Sequence, residues 1–217
     1  MKRAVESMAK RLFDLLAAGL GLLLLSPLLL LMAIAIKVDT PGPVFFRQAR
    51  VGRHGVEFRI HKFRTMVQGV DAAEAGARAS EPQLTVGSDP RITRVGALLR
   101  RTKLDELAQL IDVLRGCMSL VGPRPEVPRY VSTYPHDLRD KVLSVRPGIT
   151  DPASLVFRDE SALLARAVDP EREYIEVVLP AKLRLSARYV EEATLVGDLR
   201  LIVSTFRALW SHSSVNR

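Results

Sequence analysis

Asp105 and Glu106 stand side by side in a stretch otherwise crowded with cations. Arg91, Arg94, Arg100, Arg101 and Lys103 precede the pair, and Arg115 and Arg124 follow it. A carboxylate can attack a phosphorus centre and form an acyl-phosphate. A pyrophosphate substrate brings charge that Arg, Lys and Mg²⁺ neutralise. Mg²⁺ takes oxygen ligands and keeps several waters, so one or two carboxylates suffice to hold it. The surrounding cations would also keep an aspartate ionised. Adjacent helical residues do not face each other. The two carboxylates would therefore not share a proton but divide labour, one attacking and one holding a metal. A purely structural alternative stays open: Thr102-Lys103-Leu104-Asp105 matches a helix start with a capping threonine, and acids in a first turn suit the helix dipole. The basic residues have an equally plain alternative as a solvated face. Against it, Asp89-Pro90-Arg91 and Gly122-Pro123-Arg124-Pro125 set arginines beside stiff turns that hold guanidinium groups in place.

Other chemistries lack their residues. The chain has no Gly-x-x-x-x-Gly-Lys-Ser/Thr phosphate loop, no His/Cys metal cluster and no Gly-x-Ser-x-Gly elbow. His54, His61 and His136 read as ordinary surface or packing residues, and the lone Cys117 as an inert thiol in an apolar setting. The net charge of +8 favours anionic partners: phosphorylated substrates, lipid headgroups or nucleic acid.

The element that must position such a site is the apolar run Leu15–Ile36, which carries no ionisable side chain and is interrupted by Ser26-Pro27. Its length suits a bilayer core of about 30 Å. Proline within a helix predicts a sharp bend or break. Both flanks are basic, with Lys2, Arg3, Lys10 and Arg11 before and Lys37, Arg47, Arg50 and Arg53 after. With positive charge retained on the cytoplasmic side, that balance predicts a hairpin dipping into one leaflet rather than a plain span. A kinked single-pass anchor and a signal peptide cleaved near Ala33–Ala35 are the alternatives. Further along, alternation at 58–63 after a turn at 52–55 predicts a β-hairpin. Residues 70–82 read as a surface helix or loop. Helical spacing appears at 92–101 and 103–114, with Gly116 as a stop, then at 136–145, 159–168, 170–178, 181–193 after Pro180, and 196–210. The apolar stripe Val196, Leu199, Ile202, Val203, Phe206 and Trp210 of the last segment reads as a core face.

These residues, in this order, resemble the bacterial sugar transferases of the monotopic phosphoglycosyl transferase family. The blocks are Lys10-Arg11-Leu12-Phe13-Asp14 before the run with Ser26-Pro27, Gly42-Pro43-Val44-Phe45-Phe46-Arg47-Gln48, and Lys62-Phe63-Arg64-Thr65-Met66. Asp89–Gly96, Leu98–Thr102, Leu104–Leu107, Met118–Glu126 and Arg146-Pro147-Gly148-Ile149-Thr150 complete the set. The resemblance implies transfer of a sugar-1-phosphate from a nucleoside diphosphate sugar, here a UDP-sugar, to polyprenyl (undecaprenyl) phosphate with release of UMP. It implies Asp105 as the nucleophile forming a covalent phosphosugar intermediate, and Glu106 as a Mg²⁺ ligand. Lys62, Arg64, Arg91, Arg124 and Arg146 match basic positions expected near phosphates or substrate, and Ser26-Pro27 matches the break of a re-entrant helix. Asp151-Pro152-Ala153-Ser154 departs from the Gly and Gln of many members, so the sugar is not carried over; Ala108 replaces a common Pro, which leaves that helix less interrupted.

The expected fold is α+β and mostly helical. A re-entrant membrane helix-break-helix over 1–37 leads into a compact, membrane-associated catalytic domain over 38–217 with a small β-hairpin. The expected place is the cytoplasmic face of a bacterial inner membrane, with no nucleic-acid partner and an oligomeric state left open, a dimer included. The rival from another class is a membrane-tethered basic module binding anionic lipid or nucleic acid without catalysis. It offers no recognisable nucleic-acid motif and no reason for an Asp-Glu pair between Arg-rich turns.

Overall fold

A computed structural model describes residues 8–67 and 89–212, so the expectation for 70–82 lies outside the described residues. The chain is mostly helical around two small two-stranded sheets. β1 (Phe45–Val51) and β2 (Glu57–Phe63) form the expected antiparallel hairpin, with Phe45 opposite Phe63 and Val51 opposite Glu57. β3 (Ser119–Val121) and β4 (Gly148–Thr150) pair in parallel.

The apolar run is one helix, Met8–Asp39, of 32 residues, with Pro27 inside it. The expected break at Ser26-Pro27 is thus not a gap in helical structure. Pro27 has no N–H to donate to the carbonyl four residues back, that of Leu23. The Ser26 hydroxyl donates to that carbonyl instead, at 2.7 Å, so the acceptor is satisfied and the helix continues. One face of this helix is buried at both ends, through Lys10, Asp14 and Ala18 and again through Met32 and Ile36, and only partly covered between them. Its first half packs on Ile60, Leu110, Val113 and Met118, and its second half on Phe63, Leu99 and Ala108. Leu23, Leu24, Leu30 and Leu31 are exposed on the outer side. Only 11 % of its most apolar 18-residue window is buried, unlike the core helix of a soluble domain.

Two further expectations are corrected. Pro180 does not separate helices: Pro170–Glu173 continues through a π turn at Tyr174–Val178 into Leu179–Glu192. The wider turn accommodates the missing proline N–H. In the last helix, Leu195–His212, the stripe Val196, Leu199, Val203 and Phe206 is exposed, not a core face. The cause is Asp198, which is 1 % exposed and accepts hydrogen bonds from Lys10 Nζ (2.6 Å) and Tyr189 OH (2.7 Å). That anchor turns Leu201 and Ile202 inward onto Val121 and Tyr189. The largest core cluster gathers Val127, Tyr130, Val131, Leu164, Tyr174, Val178 and Leu183 from the middle and C-terminal helices.

Candidate active site

Asp105 and Glu106 lie on a 3-10 segment, Leu104–Gln109, followed by the helix Leu110–Leu114, so the stretch expected as one helix is two elements. Thr102 is not its cap. The Thr102 hydroxyl turns back to the carbonyls of Leu98 (2.8 Å) and Leu99 (3.2 Å), inside the helix Arg94–Thr102. Lys103, left-handed at φ 56°, makes the corner between the two elements. That corner removes the plain capping account of the acidic pair.

Two other elements close on Glu106. β2 presents Lys62, on the strand face opposite His61, and its Nζ donates to Glu106 Oε1 at 3.0 Å. Arg124 grips the same carboxylate with both terminal nitrogens, Nη1 to Oε2 at 3.1 Å and Nη2 to Oε1. Arg124 is held there by its loop. Gly122 N donates to Thr150 O (3.0 Å), Gly148 N donates to Pro123 O (3.0 Å), and Arg50 Nη1 donates to Pro125 O (3.1 Å). The approach of β4 demands glycine, since a Cβ at Gly148 would overlap the Gly122 backbone.

The adjacent carboxylates have opposite electrostatics. Burial raises the Asp105 carboxyl above its ordinary value, and the Glu106 charge raises it further against the pull of Lys62 and Lys103. Burial also opposes ionisation of Glu106, but Arg124 and Lys62 overcome it and hold that carboxyl well below the usual range. Lys62 is lowered by its own desolvation, with Glu106 opposing. Asp105 Oδ1 is buried without a hydrogen-bond partner. This under-coordinated oxygen lies beside a carboxylate fixed by two cations. Among the described residues no group of three or more His, Cys, Asp or Glu side chains gathers, so a Mg²⁺ ion here would rest on Asp105 Oδ1 and Glu106 alone. Two carboxylates with water and phosphate oxygens would complete its shell.

Glu106 borders a cleft of about 410 Å³ that is also lined by Arg100, Lys103 and Arg124 and by Glu126, Glu160, Tyr174 and Lys182; Asp105 stands next to Glu106 in the chain, outside this lining. The expected basic residues divide. Lys62 and Arg124 meet at Glu106. Arg64 is elsewhere, 2 % exposed, donating to the carbonyls of Ile36, Thr40 and Pro41 at the end of the long helix. Arg146 donates from Nε to Gly116 O at 2.9 Å and lines a small recess with Lys10, Arg11 and Asp14. Arg91 is outward and paired with Asp89 at 2.8 Å. Arg50, Arg100 and Lys103 line the cleft although none stood among the expected binding residues. Glu126, from the Gly122–Glu126 block, had a motif but no assigned task; Tyr174, Glu160 and Lys182 gave no local signal. Asp151, at the departure from the common pattern, caps the helix Pro152–Val156 by accepting from Ser154 N (2.7 Å).

A sequence model described as bacterial sugar transferase matches residues 5–212. A UDP-N-acetylgalactosamine-undecaprenyl-phosphate N-acetylgalactosaminephosphotransferase of Aeromonas hydrophila is 42 % identical over 94 % of this chain and 44 % of its own length. A UDP-glucose:undecaprenyl-phosphate glucose-1-phosphate transferase of Caulobacter vibrioides is 36 % identical over 96 % of this chain and 72 % of its own. The exopolysaccharide production protein ExoY of Rhizobium meliloti is 35 % identical over 95 % and 88 %. Against some larger relatives the chain spans less than half their length, down to 32 % for an undecaprenyl-phosphate glucose phosphotransferase of Komagataeibacter xylinus. With 208 of its residues inside the match, the chain belongs to the bacterial sugar transferase family.

Proposed function

We propose that this chain is a membrane-associated glycosyl-1-phosphate transferase that moves a sugar-1-phosphate from a UDP-sugar to undecaprenyl phosphate through a covalent intermediate on Asp105. The observation that carries the reading is the unpartnered, buried Asp105 Oδ1 beside a Glu106 clamped by Arg124 and Lys62. The relatives' names supply the donor and acceptor classes.

Asp105 Oδ1 attacks the sugar-linked phosphorus. A P–O bond to aspartate forms, the P–O bond to the nucleotide breaks, and UMP departs with the bonding pair. An oxygen of polyprenyl phosphate then attacks the same phosphorus and frees the Asp105 carboxylate, so no proton need be stored on the nucleophile. Arg124, Lys103 and Arg100 offset the diphosphate charge at this end of the cleft. Glu106 keeps Arg124 and Lys62 in register and would share Mg²⁺ with Asp105. Bound there, Mg²⁺ supplies charge neutralisation on the phosphoryl oxygens.

The acceptor is a lipid, and the long helix supports a site at headgroup depth on one side of the membrane. Its two ends are both held on the domain: Lys10, Asp14 and Ala18 at one end and Met32 and Ile36 at the other are buried against it. A perpendicular crossing would carry the strand and helix packed between those ends into hydrocarbon, with their exposed polar backbone and side chains. The reading is therefore monotopic, on the cytoplasmic face of the inner membrane, with the outer leucines in lipid.

Purified protein with Mg²⁺, undecaprenyl phosphate and a panel of UDP-sugars should release UMP with at least one donor, and Asp105→Asn should not. Full turnover by Asp105→Asn sinks the covalent mechanism. For topology, Arg3→Cys and Thr40→Cys, each in a Cys117→Ser background, should be labelled from the same side; labelling from opposite sides means a span.

A further inference from the structure

The inner end of the cleft holds charged groups that the two displacement steps do not use. Tyr174 OH donates to Glu126 Oε1 at 2.5 Å. Lys182 Nζ donates to Glu160 Oε2 at 2.8 Å and to Tyr174 OH at 3.3 Å, and stands 3.6 Å from Glu126 Oε1. Arg50 Nη1 lies 3.5 Å from Glu126 Oε2. All of these line the cleft that reaches Glu106. The Glu126 and Lys182 side chains are each only 11 % exposed, among core residues Val127, Leu164 and Val178.

A buried ion-pair network of this kind is no better for stability than apolar side chains of the same volume. What it provides is direction, with acceptors and donors fixed at a cleft wall. Its charge also differs from the catalytic end. Glu126 and Glu160 stand there among Arg50, Lys182 and Arg158, whereas Arg100, Lys103 and Arg124 gather beside Glu106 alone. A wall on which two carboxylates are interspersed with cations suits a polyol. Each hydroxyl both donates and accepts, a carboxylate can take two neighbouring hydroxyls, and an ammonium beside it can give to one of their oxygens. Ser154 Oγ, on the same cleft, is buried without a hydrogen-bond partner and so has an unmet need of the same kind.

We infer that Glu160 and Lys182, braced by Glu126 and Tyr174, form the hydroxyl-reading subsite of the donor, binding a vicinal hydroxyl pair with Ser154 as a further contact. The inference rests on the sugar-nucleotide reading above. The diol belongs either to the transferred pyranose or to the ribose of the nucleotide, and the two sources differ in what a variant does. Glu160 is the residue to change, because its side chain is 25 % exposed and Lys182 keeps Glu126 as a partner without it.

The test uses the full chain in lipid nanodiscs with Glu160→Gln and Ser154→Ala, both checked by thermal melting. Steady-state UMP release is measured with UDP-glucose, UDP-galactose, UDP-N-acetylglucosamine and UDP-N-acetylgalactosamine, and UDP affinity by calorimetry. A pyranose contact changes the ratio of kcat/KM between donors by about tenfold or more, mainly through KM, and leaves UDP affinity alone. A ribose contact raises KM alike for every donor and weakens UDP by a matching factor. If both variants melt like the wild type while KM, donor ratios and UDP affinity all stay within about threefold, the subsite assignment is overturned. A wild-type protein that releases no UMP from any donor overturns the sugar-nucleotide reading itself, and this inference with it.

Discussion

Neighbouring isosteric substitutions at the acidic pair should move stability in opposite directions. In Asp105→Asn, a buried carboxylate with an unpartnered Oδ1 loses its charge beside Glu106. A buried polar group without a partner costs about 1–3 kcal/mol. The amide keeps part of that cost, so the expected gain is about 1 kcal/mol, or a melting rise of about 2–4 °C for a chain of this size. The pH dependence follows from the raised carboxyl. Below the unfolded value of 3.8 both states are protonated and the native state bears no penalty. The penalty accumulates as pH rises from there to the higher folded value and is complete above it. The gain from Asp105→Asn should thus be largest at alkaline pH and shrink as pH falls toward 3.8. Glu106→Gln does the reverse, because it leaves Arg124 and Lys62 without their counter-charge. The expected loss is about 2–3 kcal/mol, below the usual range for a broken buried pair because the Arg124 side chain is 29 % exposed. Glu106 is depressed, so its contribution is present above its unfolded value of 4.5 and is lost as pH falls through the folded one. Melting both variants by scanning fluorimetry in nanodiscs across that pH range is the assay. An Asp105→Asn protein that melts at or below the wild type at alkaline pH refutes the reasoning, since Asp105 would then have a stabilising partner.

Three further outcomes follow from the packing. Lys10→Met leaves Asp198 buried and ionised beside Tyr189, and should cost about 3–5 kcal/mol. Lys10→Met with Asp198→Leu should recover much of it, as a double-mutant melting cycle would show. Arg64→Met strips the donor from three carbonyls at the end of the long helix and should cost about 2–3 kcal/mol, whereas Arg91→Ala, whose partner is a surface Asp89, should stay within about 1 kcal/mol; equal melting shifts for the two would contradict their placement. Gly96→Ala puts a Cβ into the Thr65 backbone where the helix Arg94–Thr102 meets the end of β2. The backbones must separate, so a loss of about 1–3 kcal/mol or more is expected in urea unfolding.

Periodicity made the hairpin and most helices readable because each is a local pattern: Phe58, Ile60 and their polar neighbours alternate, and Ile92, Val95, Leu98 and Leu99 recur at helical spacing. It failed where the deciding partner is remote. Arg64 sits two residues after Lys62 in one motif, yet it serves a different task because the turn at Thr40–Pro41 folds back on it. The rotation of the last helix depends on Lys10, 188 residues away, and no window on the stripe from Val196 to Phe206 contains that information. Thr102-Lys103-Leu104-Asp105 fits a cap by composition, but Lys103 in left-handed geometry ends one helix and starts another, which no local propensity for lysine foretells. Tyr174 and Lys182 were invisible for the same reason, since Glu126 reaches them only through the packed core.

The apolar run and the acidic pair, read separately in the sequence, share one hydrophobic cluster. Leu104 and Ala108, on either side of Asp105-Glu106, pack with Met32 and Ile36 of the long helix and with Leu99. A segment wedged in this way cannot shift without moving the long apolar helix. The Ser26 hydroxyl makes this coupling workable. By satisfying Leu23 O it lets the helix run on past Pro27, so the half that touches the acidic segment stays continuous with the half held by Lys10 and Asp14. In the proposed reaction, with both halves fastened to the same domain, the depth of the helix would set the height at which Asp105 meets a lipid phosphate; a soluble sugar nucleotide could approach at any height, but a lipid acceptor could not.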